Sequence, residues 1–366
     1  MTDIVTERIA RLREKMKQTG TGLVAVGPGT HMQWLVGFYP HPDERPCLLL
    51  VGPEKAGFLM PALNTEAAKQ QSALPMFEWA DADGPDAALA QALRAVFPQN
   101  EGRIVLDETM RADFAFMLAD ALPGLARAFT GDTLGLLRSM KDEEEYRRLK
   151  ACALLNDEAM KAAWAAIKPG MTEMQVADVV RGHFSDNGGE PLFWIVGASE
   201  NGAHPHHATS DRVLKVGDAV VLDIGGRRGG YPSDMTRMAI VGEAPEGYAE
   251  VHAVVENAVQ AALAVAKTGA KAKDVDKAAR DVITAAGYGE YFVHRTGHGL
   301  GIDVHEPPYI TATSETVLEE GMVFSIEPGI YLPGRFGIRL EDIVFLRADG
   351  PEILSSLPRD AFLARV

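Results

Sequence analysis

The 366-residue chain is 46% hydrophobic, enough to bury the cores of two domains, and its formal charge of −15 excludes nucleic acid and anionic membrane surfaces as principal partners by repulsion. Its only cysteines, Cys47 and Cys152, form no CxxC or Cys/His cluster, which excludes a disulfide framework and a thiolate zinc site. No run approaches the ~20 apolar residues of a membrane span, and Met1 to Met16 is charged and amphipathic with no apolar centre, so a cytoplasmic setting is expected.

In chain order, Asp3 to Gln18 reads as a helix, Gly22 to Val26 as a strand, and Cys47 to Val51 as a buried apolar run. Strands and helices alternate to about Thr130, predicting a small α/β domain in which no catalytic set gathers. A break at Gly131 to Lys141 precedes a helix whose i,i+4 pairs, Glu143 with Arg147 and Glu144 with Arg148, mark an exposed face. The expected domains are therefore 1–134 and 135–366.

The second domain repeats itself. Lys168, Gly170, Val176, Arg181 and Gly188 recur 99 residues later as Lys267, Gly269, Val275, Arg280 and Gly287, and His206 recurs as His305. At an offset of 104, the run Val213 to Gly225 matches Val317 to Gly329, pairing Asp223 with Glu327. Asp234 follows the first acid by 11 residues and Glu341 follows the second by 14, so each half reads as strand, acid, glycine turn, strand, acid. Two such halves about a pseudo-twofold axis would converge four carboxylates.

Asp223 and Glu327 close apolar runs, where an isolated ionised carboxylate is costly. Four acids together would repel one another unless two divalent cations lay between them. Any one of the acids alone reads as a turn or solvated residue; Glu327, before Pro328-Gly329, is the hardest to read that way. His298, between Gly297 and Gly299, can approach such a centre closely. Strand alternation puts Arg339 on the same side as Glu341. Oxygen donors with one imidazole suit manganese first, with cobalt, iron or zinc as alternatives.

These motifs resemble the pita-bread metallopeptidases, the family of methionine aminopeptidase, aminopeptidase P and prolidase. The resemblance spans Gly135 to Val366 and rests on Leu222-Asp-Ile-Gly-Gly226, Ser233-Asp-Met-Thr-Arg237, His294-Arg-Thr-Gly-His-Gly-Leu-Gly301, Ile326-Glu-Pro-Gly329 and Ile338-Arg-Leu-Glu-Asp342. It implies an α+β architecture: a C-terminal pita-bread domain behind a smaller α/β domain of the creatinase/prolidase N-terminal kind. It implies two divalent metal ions, with Asp223 on one, His298 and Glu327 on the other, and Asp234 and Glu341 bridging. It further implies a proton-shuttling role for Glu327 and a proline-containing peptide as substrate. His206 and His305 would bind substrate or stabilise the intermediate, while His294, Tyr331 and Arg339 would line the site; His204 and His207 read as surface residues of a polar loop. Similar archaeal prolidases carry a carboxylate-holding arginine where this chain has Tyr309, which leaves dipeptides and longer Xaa-Pro peptides both open. A homodimer is the expected assembly. The alternatives are a small-molecule enzyme of the same fold, such as an ectoine hydrolase or a lyase, and a binding protein without chemistry.

Overall fold

The computed structural model describes residues 3–365, so Met1, Thr2 and Val366, the ends of two expected segments, lie outside the described residues. The chain divides into two compact units, one ending at Arg138 and the other beginning at Ser139.

The first unit contains α1 (Asp3–Gln18), β1 (Thr21–Val26), α2 (Thr30–Val36), β2 (Leu48–Val51), β3 (Ala56–Pro61), α3 (Ala62–Lys69), β4 (Met76–Trp79), α4 (Asp86–Val96), β5 (Arg103–Leu106), α5 (Ala112–Ala121) and β6 (Arg127–Phe129). Its six strands form one mixed sheet in the order β4-β3-β2-β1-β5-β6. Three of the four inner strands, β1, β2 and β3, are buried along their full length, which is why Leu48 to Val51 is uninterrupted apolar sequence. Cys47 is buried there, and burial pushes its thiol up to about 12, far from reactivity at neutral pH.

After α6 (Leu134–Ser139), the second unit opens with two long helices, α7 (Glu143–Ala166) and α8 (Glu173–Asp186). Each begins with a reciprocal capping box, Asp142 with Glu145 and Thr172 with Gln175. Glu144 pairs with Arg148 as the sequence predicts, whereas Arg147 turns to Glu144 and Glu143 reaches Arg347 from a distant strand. Then come β7 (Glu190–Ala198), β8 (Ala219–Arg228), β9 (Tyr231–Pro232) and β10 (Met235–Val241), followed by a second helix pair, α9 (Tyr248–Val265) and α10 (Ala272–Ala285). The chain ends with β11 (Gly297–Gly299), β12 (Glu306–Ile310), β13 (Val323–Ile326), β14 (Gly329–Leu332), β15 (Phe336–Arg339), β16 (Asp342–Arg347), β17 (Gly350–Ile353) and β18 (Phe362–Ala364).

Two antiparallel-rich sheets result, β18-β10-β8-β7 and β12-β11-β13-β16-β17, with β14 and β15 as a separate ribbon. The repeat is physical. The bridge Thr172↔Val213 recurs as Lys271↔Val317, and the bond from Gly170 N to Leu214 O recurs from Gly269 N to Leu318 O. Gly170 and Gly269 both hold φ near +89°, a left-handed turn that disfavours other residues. Among the described residues no helix is long and apolar enough to cross a membrane.

Candidate metal centre and active site

Asp223 sits within β8, but not before a turn. The strand continues through Gly225 and Gly226 to Arg228, and the reversal falls at Gly229-Gly230. The two earlier glycines serve packing, since a Cβ on Gly225 would lie 2.2 Å from the Phe193 ring and one on Gly226 would lie 2.3 Å from Phe184. In the second half Glu327 does leave its strand, because Pro328 interrupts the ladder between β13 and β14. The glycine turn of the first half therefore falls at Gly229-Gly230, beyond the two glycines that directly follow Asp223 and Ile224.

His298 occupies β11 between two glycines whose spacing is enforced: a Cβ at Gly297 would stand 1.9 Å from Ser325 O and one at Gly299 would stand 2.3 Å from Pro307 O. That close approach brings His298 Nε2 to 3.2 Å from Glu327 Oε1 and 3.7 Å from Asp234 Oδ2. Asp223, Asp234, His298, Glu327 and Glu341 thus meet. Donor atoms fall within 4.8 Å of one another in three overlapping groups, namely Asp223 with Asp234 and Glu341, His298 with Glu327 and Glu341, and Asp234 with His298 and His305.

Metal-free, this cluster is electrostatically frustrated. Burial, then repulsion from Glu341, Asp223 and Glu327, drives the Asp234 carboxyl well above its usual range, and burial with Glu327 and Asp223 does the same to Glu341. Burial lifts Glu327 to about 7, against the opposing charge of Arg339 and a bond from Ser325 Oγ at 2.9 Å. Burial, helped by His305, lowers His298 to about 3, so its imidazole is neutral and able to ligate. Asp223 Oδ1 and Glu341 Oε1 are buried without a hydrogen-bond partner. Neutral imidazole, crowded carboxylates and two orphaned oxygens are a donor set that suits hard or borderline divalent cations.

Around the cluster runs a polar chain. Arg339 donates to Asp223 Oδ2 at 2.5 Å, to Thr236 Oγ1 at 3.0 Å and to Tyr331 Oη at 2.8 Å. Thr236 Oγ1 in turn donates to Glu341 Oε2 at 2.8 Å. Tyr331 lies 2.8 Å from His294 Nε2, and His294 Nδ1 lies 2.7 Å from Arg295 O. Burial, with Arg339 nearby, depresses His294 to about 4, which fits Nδ1 as donor and Nε2 as acceptor. Burial likewise raises Tyr331 to about 12, keeping its hydroxyl protonated.

His206 and His305 are exposed beside this chain. The His305 ring lies 3.9 Å from that of His298, and its pKa is lowered by burial and by Arg295 and His206. Tyr309 is exposed, with the Arg295 guanidinium 4.8 Å over its ring and 3.4 Å from His305 Nδ1.

Several neighbours were not singled out in sequence. Arg295 and Thr236 stand inside motifs quoted for other residues, and Ser325 lies two residues before Glu327. His207 is no free surface histidine: its Nε2 lies 2.8 Å from the fully buried Glu173 carboxylate. The second acids are also not register equivalents. Strand pairing sets Arg237 opposite Leu222 and Asp342 opposite Ile326, so Thr236 corresponds to Glu341 and Asp234 to Arg339. Comparing Asp-Met-Thr-Arg237 with Arg-Leu-Glu-Asp342 would have revealed this, because the two stretches are charge-inverted copies.

Comparison with known proteins gives a consistent picture. The model of metallopeptidase family M24 matches residues 147–348, and that of the creatinase/prolidase N-terminal domain matches residues 8–139. The chain is 37% identical to a probable dipeptidase PepE of Mycobacterium tuberculosis, covering 100% of this chain and 98% of that protein. It is 33% identical to an Xaa-Pro dipeptidase of Lactobacillus helveticus over 96% of this chain and 97% of the other. The crystal structure of dipeptidase PepE from Mycobacterium ulcerans superposes with a TM-score of 0.94 at 36% identity, covering 99% and 98% of the two chains.

Proposed function

The chain belongs to metallopeptidase family M24, in its Xaa-Pro peptidase branch, and we propose that it hydrolyses the Xaa-Pro bond at the N-terminus of dipeptides or short peptides with two divalent metal ions. It is a peptidase, and the family implies divalent metal. The observation that carries the two-ion reading is the overlap of donor groups. Asp223 and Glu327 fall in separate groups, while Asp234, Glu341 and His298 each belong to two; of these three only the carboxylates Asp234 and Glu341 carry two oxygens to share between ions, as bridging ligands would.

Bound there, the ions would supply Lewis acidity and an acidified water. The chain's own residues do the rest. Arg339 and Thr236 fix the Asp223 and Glu341 carboxylates in place. Glu327, held by Ser325 Oγ, accepts the proton of the attacking water and passes it to the proline nitrogen. His206 and His305, on the exposed rim, steady the charge that develops on the scissile carbonyl oxygen. His294, Tyr331 and Tyr309 form the substrate wall. Manganese suits the oxygen-rich donors, and a cytoplasmic homodimer completes the reading.

Rates on Xaa-Pro, Xaa-Pro-Yaa and Xaa-Ala peptides, measured on enzyme reconstituted with each metal, test it. Cleavage confined to the proline peptides is expected, with Glu327→Gln folded but inert. Equal cleavage of Xaa-Ala, or an active Glu327→Gln enzyme, would sink the assignment.

A further inference from the structure

Glu173, at the first turn of α8, is completely buried, yet among the described residues every hydrogen-bonding contact to its carboxylate comes from β7 and the connection that follows it. Oε1 accepts from Ala198 N at 2.8 Å and Asn201 Nδ2 at 3.0 Å. Oε2 accepts from Ser210 N at 3.1 Å and Ser210 Oγ at 2.7 Å, and lies 2.8 Å from His207 Nε2. These bonds hold the carboxyl below its usual range despite burial, which opposes them. A buried acid so fully saturated by one stretch of chain is a fastener for that stretch.

What the stretch carries is His206. On its other side the same segment is tied to the metal cluster, since Arg339 donates to Pro205 O at 3.3 Å. The peptide unit of His206 is therefore held between Pro205, bound to Arg339, and His207, bound to Glu173. Among the described residues the exposed His206 ring has no hydrogen-bond partner, so its direction depends on those two neighbours.

We propose that Glu173 and His207 are positioning residues that aim His206 at the scissile carbonyl through the Glu173–His207 contact. This inference rests on the assignment of His206 to the reaction, and the test separates the two. Kinetics of His206→Ala, His207→Ala, the double variant and His207→Gln are measured on metal-loaded enzyme with an Xaa-Pro dipeptide.

His207→Ala should lower kcat by up to about 100-fold, the scale of a roughly 1 Å misplacement, with KM changed far less. The double variant should be no slower than His206→Ala, and His207→Gln, which keeps a donor for Glu173, should recover a large part of the loss. Additive effects of the two alanine changes, or a His207→Ala enzyme with normal kcat, would overturn the proposal while leaving His206 in place. A fully active His206→Ala enzyme would overturn the assignment of His206 itself, and the proposal with it. If His207→Ala fails to fold, His207→Gln and Glu173→Gln carry the same comparison against His206→Ala.

Discussion

The two halves of the catalytic unit share a backbone plan and differ where they meet. In the first, β8 presents Asp223, β10 presents Thr236 and Arg237, and Asp234 stands immediately before β10; in the second, the corresponding segments present Glu327, Arg339, Glu341 and Asp342. At the pseudo-twofold axis equivalent residues face each other, so identical charges there would repel. The inversion of one tetrad relative to the other turns that repulsion into attraction, and Arg237 meets Asp342 at 2.6 Å with both side chains essentially unexposed. The same divergence gives the centre its asymmetry: the imidazole donor, Glu327 and Glu341 come from the second half, with Asp223 and Asp234 from the first. Here the duplicated fold builds its shared site by breaking sequence symmetry at the seam.

The widest-reaching way to probe this comparison is to remove metal, which should abolish turnover and expose the carboxylate repulsion from both halves at once. The sign follows from Glu327, whose folded pKa is raised from 4.5 to about 7. A raised carboxylate favours the folded state below its unfolded pKa, and that advantage is lost as pH climbs through the folded value. Melting temperatures of the metal-free enzyme should therefore fall between about pH 4.5 and about pH 7, and added metal should flatten the curve. A flat profile without metal would contradict the crowding of the cluster.

Next in size is the seam. Arg237 donates to Asp342 and also to Glu341 O, Leu357 O and Pro358 O. Arg237→Met should cost about 3–5 kcal/mol in denaturant unfolding by stranding a buried charge, although Arg359, also bonded to Asp342 at 2.6 Å, softens the loss. A cost under about 1 kcal/mol would mean that the inverted pair is dispensable.

Thr236 sharpens the asymmetry. Because it stands where the other half has Glu341 and bonds both Glu341 and Arg339, Thr236→Val should destabilise by about 1–3 kcal/mol and reduce kcat/KM by about 10- to 100-fold. At the small end, Glu144→Ala on the exposed face of α7 should change stability by less than about 1 kcal/mol, measured by the same unfolding curves.

Much of this was readable in advance, for reasons particular residues supply. The convergence of Asp223 with Glu327 was legible because each closes an apolar run, where a lone carboxylate is expensive, and because the repeat pairs the two. The glycines around His298 were legible because only glycine allows the approach to Ser325 and Pro307. The register at the seam was not, since counting acids along the chain pairs Asp234 with Glu341, whereas strand pairing matches Asp234 to Arg339. His207 was illegible for a different reason: its partner, Glu173, lies 34 residues away on a helix whose first turn gives no sign of where its side chain is buried.

The saturated carboxylate of Glu173 has a consequence for hydrogen exchange. The amide of Ala198 closes β7, and that of Ser210 lies in the surface connection beyond it, where fast replacement by deuterium is the ordinary expectation. Bound to a buried anion that is already fully hydrogen-bonded, both should exchange on the slow timescale of the neighbouring sheet, making a loop behave toward solvent as though it were interior.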